Sequence, residues 1–310
     1  MPPDRPADQT VLITGGAGFI GSHLATALVS DNDVRILDNL TTGQRANVPD
    51  EATLIEGDCR DADALARVTD GVDMVFHEAA LVSVQQSIDD PQQSHAINVD
   101  ATLDVLEAAR REDARVVLAS SAAIYGHPER VPIPESDPKG PTSPYGLDKL
   151  TIDHYVRQYH ELYGLETVAL RYFNAFGPGQ VASDYSGVIS IFLDQALSGE
   201  PITVDGDGSQ TRDFVFIDDI VQANLRAATT DAVGKAYNIG TGEAISIREL
   251  AEAVQDITVT ESEIVHTEPR PGDIEHSQAD ISKAEAYLDY EPTVAFREGL
   301  ARTAKWYRTQ

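Results

Sequence analysis

The sequence predicts an α/β fold, a doubly wound parallel sheet followed by a smaller α/β C-terminal domain. Three observations carry that prediction. β-Branched runs alternate with helical stretches through the first half, the first run enters a glycine-rich turn, and the second ends in an acid. Apolar strands separated by helices belong in a parallel sheet covered on both faces.

Strands are expected at residues 11–14, 34–37, 53–56, 73–77, 115–120 and 166–172, with helices at 18–30, 62–68, 94–111 and 145–162. Beyond about residue 175 the pattern loosens among Gly177, Pro178, Gly179, Gly199, Pro201, Gly206 and Gly208. Helices resume at 218–229, 246–255 and 296–308. No internal repeat or low-complexity tract is present. The expected plan is a large first domain over residues 1–175, to which residues 212–238 return, and a smaller second domain over 176–310.

At 310 residues the chain has room for one large domain or two modest ones, at about 150 residues each. With 42% apolar residues it can bury a core, which excludes a disordered chain. Its single cysteine, Cys59, excludes an internal disulfide and fits a reducing compartment, hence a cytoplasmic location. Residues 10–30 carry no Asp, Glu, Lys or Arg, but Gly15, Gly16, Gly18, Gly21 and His23 interrupt them. The opening MPPDRPADQT has no basic region, so neither a membrane span nor a leader is expected.

Lys and Arg number 23 against 51 Asp and Glu, a net charge of −28. Nucleic acid and anionic membranes are therefore excluded as expected partners. The acids are spread along the chain rather than gathered in a tail, which makes them a solvated surface. Such a surface repels itself in dilute buffer and is better behaved in concentrated salt, so a salty, halophilic cytoplasm is expected.

The first strand runs into Gly15-Gly16-Ala17-Gly18-Phe19-Ile20-Gly21, and a helix follows. Bare backbone at Gly15 and Gly18 lets the turn tighten and lets a pyrophosphate reach the helix N-terminus, where unpaired N–H groups favour anions. Asp38 ends the next strand about 20 residues on, placed to accept hydrogen bonds from ribose hydroxyls and to repel a 2′-phosphate. NAD is thus favoured over NADP, on a Rossmann-type sheet. The competing reading is a structural turn with a chance acid.

Tyr145-Gly146-Leu147-Asp148-Lys149 places a phenol and an ammonium on one helix face, four residues apart. Tyrosine with a pKa of about 10 is a poor base at neutral pH. A nearby cation, with the positive charge of oxidised nicotinamide, is expected to lower it. The pair uses one of only five lysines and follows a strand whose end carries Ser120, Ser121 and Tyr125. Ligands bind outside the carboxyl ends of such strands, so Ser121 and Tyr145 are expected to meet across a substrate hydroxyl. A surface helix with solvated side chains is the competing reading.

The segments GGAGFIG, Asp38-Asn39-Leu40, VFHEAALVSV, SSAAIYG, SPYGLDKL, RYFNAFGPGQ, GDGSQTRDFVFIDD, YNIGTG and RPGD resemble the extended short-chain dehydrogenase/reductases. Among these the chain is most similar to the nucleotide-sugar 4-epimerases of the UDP-glucose/UDP-galactose type, over nearly its whole length. The resemblance implies that Gly15, Gly18, Phe19, Ile20 and Gly21 hold the pyrophosphate of NAD and Asp38 its adenosine ribose. Asn39, Asp58 and Cys59 would lie by the ribose and adenine, with Ala79, Ala80 and Asn98 further along. Tyr145 would be the base, Lys149 its partner on the nicotinamide ribose, and Ser121 the hydroxyl sharing the proton path. Asn174 would contact the sugar nucleotide, while Arg212 and Arg270 would clamp its diphosphate. A guanidinium binds phosphate in a planar fork, although pairing with surface carboxylates is the alternative for both arginines. A homodimer is also expected from the family.

Family members share a first step, in which the tyrosinate takes the 4-hydroxyl proton as hydride leaves C4 for the nicotinamide. Sugar 4,6-dehydratases carry an Asp-Glu pair just after the serine or threonine position, and related decarboxylases a glutamate. Here those positions hold Ala122 and Ala123, which do no acid–base work. Rotation of the keto sugar and return of hydride to its other face, a 4-epimerisation, is the expected outcome. The stretch around Ser277 resembles a family segment whose gatekeeper lies beside the sugar 2-substituent. A small Ser277 leaves room for an N-acetyl group, so N-acetylated UDP-sugars are expected to be accepted beside glucose and galactose. UDP-glucuronate epimerisation, a sugar-nucleotide oxidoreductase and a non-catalytic NAD-binding protein are the alternatives.

Other patterns are set aside. Asp205-Gly206-Asp207-Gly208-Ser209 imitates a calcium loop but has Gln210 and Phe216 where Gly and Glu are required, so a turn is expected. Eight scattered histidines without a His-Glu-x-x-His pattern imply no metal. Tyr185-Ser186-Gly187 lacks the Gly-x-Ser-x-Gly frame of a nucleophile elbow. Asp218-Asp219 reads as a helix cap and dipole partner.

Overall fold

A computed structural model describes residues 5–180, 187–270 and 272–310. The first half alternates as expected: β1 Thr10–Thr14, α1 Phe19–Leu28, β2 Asp33–Asp38, β3 Thr53–Glu56, α2 Ala62–Thr69 and β4 Met74–His77. Next come α3 Val84–Asp89, α4 Pro91–His95, α5 Ala101–Glu112, β5 Arg115–Ser121, α6 Pro144–Tyr163 and β6 Thr167–Tyr172. The second half holds β7 Asn174–Phe176, α7 Val188–Ser198, β8 Ile202–Asp205, β9 Thr211–Arg212, β10 Phe214–Phe216, α8 Ile217–Thr229 and β11 Lys235–Ile239. It ends with β12 Ile245–Ser246, α9 Ile247–Thr258, β13 Ile264–Thr267, α10 Ser282–Leu288 and α11 Phe296–Tyr307.

Seven parallel strands form the main sheet in the order β11-β6-β5-β4-β1-β2-β3. Side chains alternate across it. Val11, Ile13, Ile36, Phe76, Val117 and Val168 face α1 and α8, while Leu12, Leu37, Val75, Val116, Leu118 and Ala169 face α2, α5 and α6. Both faces are sealed, which is why the strands read as unbroken apolar runs. The chain winds outward in both directions from β1 and β4, and the crevice beyond their C-terminal ends is the place such sheets bind ligands.

Two-stranded pairs organise the rest: β7 with β10, β9 with β12, and β8 with β13. The helices α7, α9 and α11 pack on these and merge with the core facing α1 and α8. Among the described residues no helix is long and apolar enough to cross a membrane.

The sequence expectation of one helix over 94–111 needs correction. The segment splits into α4, a π-helical turn at Ala96–Asp100, and α5. Extra residues in such a turn shift the helix register. Buried Asn98 lies in it, brackets Leu81 through N–H and C=O at 2.8 and 3.1 Å, and donates to Ser94 at 3.3 Å.

Candidate active site

The glycine loop packs backbone against backbone. Gly15 sits at φ +70°, and a Cβ there would stand 2.7 Å from the Ala79 nitrogen. A Cβ on Gly21 would stand 2.3 Å from the Gly15 carbonyl oxygen, so neither position has space for a side chain. Gly18 caps α1 with no side-chain hydrogen bond, and no acid occupies the first turn. The N–H groups of Phe19, Ile20 and Gly21 therefore face outward as a site for an anion. Asp38 is buried, and its two oxygens accept from the Ala17 and Leu40 nitrogens at 2.9 and 2.8 Å. Each oxygen keeps a lone pair for a further donor.

Asn39 donates to Asp58 at 3.1 Å, and Arg60 grips Asp58 at 2.8 Å. The Arg60 hydrogen bonds hold the Asp58 carboxyl far below the usual carboxylate range. Burial pushes the neighbouring Cys59 thiol up to about 12, which leaves it inert. Ala79 and Ala80 line the loop after β4 that faces Gly15. An uncapped helix start, a cradle without room for Cβ atoms and a buried acid with spare lone pairs suit a dinucleotide.

Ser143 caps α6 by accepting from the Gly146 nitrogen at 3.1 Å, and Pro144 begins the helix. Tyr145 thereby falls in the first turn, its own nitrogen held by Ser87 Oγ at 3.1 Å, and Lys149 follows one turn later. Ser121 ends β5; its hydroxyl acts on the Tyr145 phenol, opposing the effect of burial on its pKa, and accepts from the Ala123 nitrogen at 3.1 Å. Lys149 is buried, donates to the Ala119 carbonyl at 2.7 Å, and lies 6.0 Å from the centre of the Tyr145 ring. Burial brings its pKa down to about 8, against the support of Glu78 and Asp148.

The expected lowering of the phenol pKa rests on the nicotinamide charge together with Lys149. Without the nicotinamide charge, burial raises the Tyr145 pKa above its ordinary value and the Ser121 hydroxyl opposes this.

The second half assembles around Asp213. This fully buried carboxylate accepts from the nitrogen and hydroxyl of Thr241 at 2.7 and 2.8 Å, and from the Gly242 and Ala279 nitrogens at 3.0 Å each. Its own carbonyl takes the Asn174 nitrogen at 3.0 Å, and Thr211 takes the Ser277 nitrogen at 3.1 Å. Asn174, Arg212 and Ser277 are therefore tied into one framework, with Asn174 exposed and Ser277 buried. Arg212 pairs with Asp273 at 2.6 Å and donates to the Ile274 carbonyl at 2.7 Å. Arg270 stands apart, largely exposed and paired with Asp205 at 3.0 Å, yet close enough to lower the pKa of Arg212, which burial depresses most.

The turn expected at 205–209 is present, with Gly206 and Gly208 at positive φ and Asp207 accepting from the Ser209 nitrogen at 2.9 Å. The cap assigned to Asp218-Asp219 is not. Phe216 holds the cap position of α8, and both acids lie within the first turn. Asp219 instead secures Thr293 and Val294, at 2.8 and 3.2 Å to their nitrogens, and Asp218 pairs with Arg302 at 2.7 Å. Tyr185 and Ser186, and Pro271 of the RPGD motif, lie outside the described residues.

Three acids escaped sequence reasoning. Besides Asp213 there is Asp148, buried beside Lys149 and held by Ser94 at 2.6 Å and His95 at 3.1 Å. Glu78, next to Ala79, accepts from the Tyr172 hydroxyl at 3.0 Å. A charge inside an apolar run, as in VFHEAA and TRDFVF, was the available signal.

Known proteins resemble this chain over nearly its whole length. A protein of Methanocaldococcus jannaschii provisionally named UDP-glucose 4-epimerase is 40% identical over 96% of this chain and 98% of its own length. The solved UDP-N-acetylglucosamine 4-epimerase of Methanobrevibacter ruminantium, complexed with UDP-N-acetylmuramic acid, is 39% identical at TM-score 0.95, covering 98% of this chain and 100% of that one. The UDP-glucose 4-epimerase of Thermus thermophilus, solved with NAD, is 37% identical at TM-score 0.90, covering 96% and 99%. The profile of the NAD dependent epimerase/dehydratase family matches residues 11–240, from the first strand through the glycine loop to the end of β11. With NAD as its cofactor, this chain belongs to the NAD dependent epimerase/dehydratase family.

Proposed function

We propose that the chain is an isomerase that interconverts UDP-sugars epimeric at C4 through a transient 4-keto sugar. One observation carries this: Ser121, Tyr145 and Lys149 converge at the end of β5, while Ala122 and Ala123 occupy the turn that follows, without an acid. When bound, NAD would supply the hydride acceptor and donor for C4 and the positive charge of its oxidised ring. Tyr145 takes the proton of the C4 hydroxyl, and Ser121 donates to the oxygen that becomes the ketone. Lys149 keeps a cation behind both. After the sugar turns over, Tyr145 gives its proton back to the oxygen at C4. Residues 1–175 with 212–238 would hold NAD, using Gly15, Gly18, Phe19, Ile20, Gly21, Asp38, Asn39, Asp58, Cys59, Ala79, Ala80 and Asn98.

Asn174, Arg212, Arg270 and Ser277 would hold the sugar nucleotide, with Asp273 and Asp205 giving way to its diphosphate. Similarity to a UDP-N-acetylglucosamine 4-epimerase and the small Ser277 both support acceptance of N-acetylated sugars. We further propose a homodimer working in a salty cytoplasm, supported by the family resemblance, the net charge of −28 and the single cysteine.

The test is one NMR-resolved panel in concentrated KCl: UDP-glucose, UDP-galactose, both UDP-N-acetylhexosamines and UDP-glucuronate. Interconversion of a glucose- and galactose-configured pair is expected. Stoichiometric accumulation of NADH would make the chain an oxidoreductase, and conversion of UDP-glucuronate alone would make it a uronate epimerase. NAD binding without turnover would remove the catalytic reading.

A further inference from the structure

The short helix α3 turns hydroxyls inward and apolar side chains outward. Ser83, its cap, and Ser87 one turn later are buried, while Val84 and Ile88 are 46% and 52% exposed. Ser83 has a local task, since its oxygen accepts from the Gln86 nitrogen at 3.0 Å and caps the helix. Ser87 has none that the helix itself requires. Its hydroxyl donates back to the Val84 carbonyl at 2.6 Å, and its oxygen accepts from the Tyr145 nitrogen of α6 at 3.1 Å. A buried hydroxyl costs free energy unless it is bonded, and alanine would serve as well if packing were the only requirement. The bond to Tyr145 is what distinguishes the serine.

The other end of that bond matters equally. The first N–H groups of a helix have no partner within it. In α6, Pro144 brings no N–H, and Ser143 serves the next two positions by accepting from the Gly146 nitrogen on its hydroxyl at 3.1 Å and from the Leu147 nitrogen on its carbonyl at 3.0 Å. The nitrogen of Tyr145 goes to α3 instead. From there the connection runs back to the loop after β4. Ser83 starts α3, and Leu81, two residues earlier, is bracketed by Asn98 at 2.8 and 3.1 Å. The loop that faces Gly15 and the residue that carries the phenol are thus joined by one hydrogen-bonded stretch.

We propose that Ser87 is a positioning residue for Tyr145: it ties the main chain at the start of α6 to the segment after β4, and so sets where the phenol stands relative to that loop. The proposal rests on the epimerase reading, which gives Tyr145 its task. Only the ring's own torsions separate the tied nitrogen from the phenol, so slack in the main chain passes directly to the phenol oxygen.

Tyrosine labelled with 15N gives one amide signal for each of the eleven tyrosines, and Tyr145→Phe identifies that of Tyr145. In the cofactor-free protein, Ser87→Ala should speed hydrogen exchange at the Tyr145 amide about tenfold or more, because the bond that protects it is gone. With NAD and substrate, kcat should fall about tenfold while KM and NAD affinity stay within about twofold, since a small misplacement of a reacting group is felt in the chemical step. Ser87→Thr keeps the hydroxyl and should restore both readings. If Ser87→Ala does not fold, Ser87→Cys nearly keeps the volume with a far weaker acceptor and carries the same expectation. Unchanged exchange at the Tyr145 amide would overturn the proposal, as would faster exchange with kcat intact. A fall in kcat that Ser87→Thr does not reverse would overturn it too. The exchange measurement needs no turnover, so faster exchange in a protein that converts none of the sugars would sink the epimerase reading while upholding the tie between Ser87 and Tyr145.

Discussion

Ser121 closes β5 and Tyr145 opens α6, 24 positions on in the chain, and the Ser121 hydroxyl pulls the phenol pKa down against the effect of burial. The same serine oxygen accepts from the Ala123 nitrogen at 3.1 Å, so its direction is fixed before any sugar arrives. Proton transfer benefits from such preset geometry, since little has to reorganise as charge moves. Tyr145→Phe keeps the ring and removes the acid–base oxygen. Turnover should fall about 100- to 10,000-fold while NAD affinity and the melting temperature stay within error. Steady-state kinetics with calorimetric NAD titration checks this.

The glycine loop separates folding from binding. A Cβ on Gly21 would meet the Gly15 carbonyl oxygen at 2.3 Å, whereas a Cβ on Gly18 would meet it at 3.2 Å and has nothing else nearby. Gly21→Ala should destabilise the cofactor-free protein by about 1–3 kcal/mol. Gly18→Ala should leave the melting temperature almost unchanged yet weaken NAD binding about tenfold or more, because the methyl group intrudes where a pyrophosphate approaches. Denaturant unfolding paired with NAD titration distinguishes the two.

Asp213 ties its own segment to two others far along the chain, at residues 241–242 and 279, through four accepted hydrogen bonds. Burial pulls its pKa up, and those bonds pull it down. Asn at this position can accept on one oxygen only and presents an amide to donors. Asp213→Asn should cost about 2–4 kcal/mol in stability. Because Arg212 and Ser277 hang on the same framework, KM for the sugar nucleotide should rise more than kcat falls. Urea unfolding and kinetics on the same preparation check both parts.

A net charge of −28, spread over the whole chain, makes self-repulsion a global cost of folding. Screening it should raise the melting temperature by about 5 °C or more between dilute buffer and molar KCl. Calorimetry across a KCl series checks this. A flat series would remove the salt-adapted reading without touching the catalytic one.

The fold was legible where local chemistry decides it. Strands buried on both faces show as apolar runs, and β1, β2 and β5 lie within a residue of their expected positions. The glycine loop and the Tyr145–Lys149 pair were legible because spacing alone puts them on a turn and on one helix face. The π-helical turn at Ala96–Asp100 was not, since it answers to Asn98 and Leu81 packing across a gap the local sequence does not encode. Glu78, Asp148 and Asp213 were missed for the same reason. Whether a buried acid is tolerated depends on partners brought from distant segments: Tyr172 for Glu78, Ser94 for Asp148, and Thr241 with Ala279 for Asp213. Likewise, the acidity of Tyr145 depends on burial, which the Tyr-x-x-x-Lys spacing does not reveal.

Internal return of hydride between the two faces of one carbon is the heart of the proposed chemistry. UDP-glucose carrying deuterium at C4, incubated with the NAD-loaded protein in ordinary water, tests it most directly. UDP-galactose that keeps the deuterium at C4, with none in the solvent, is the predicted result. Deuterium lost to water or carried off in released NADH, or galactose absent from the product, would contradict it.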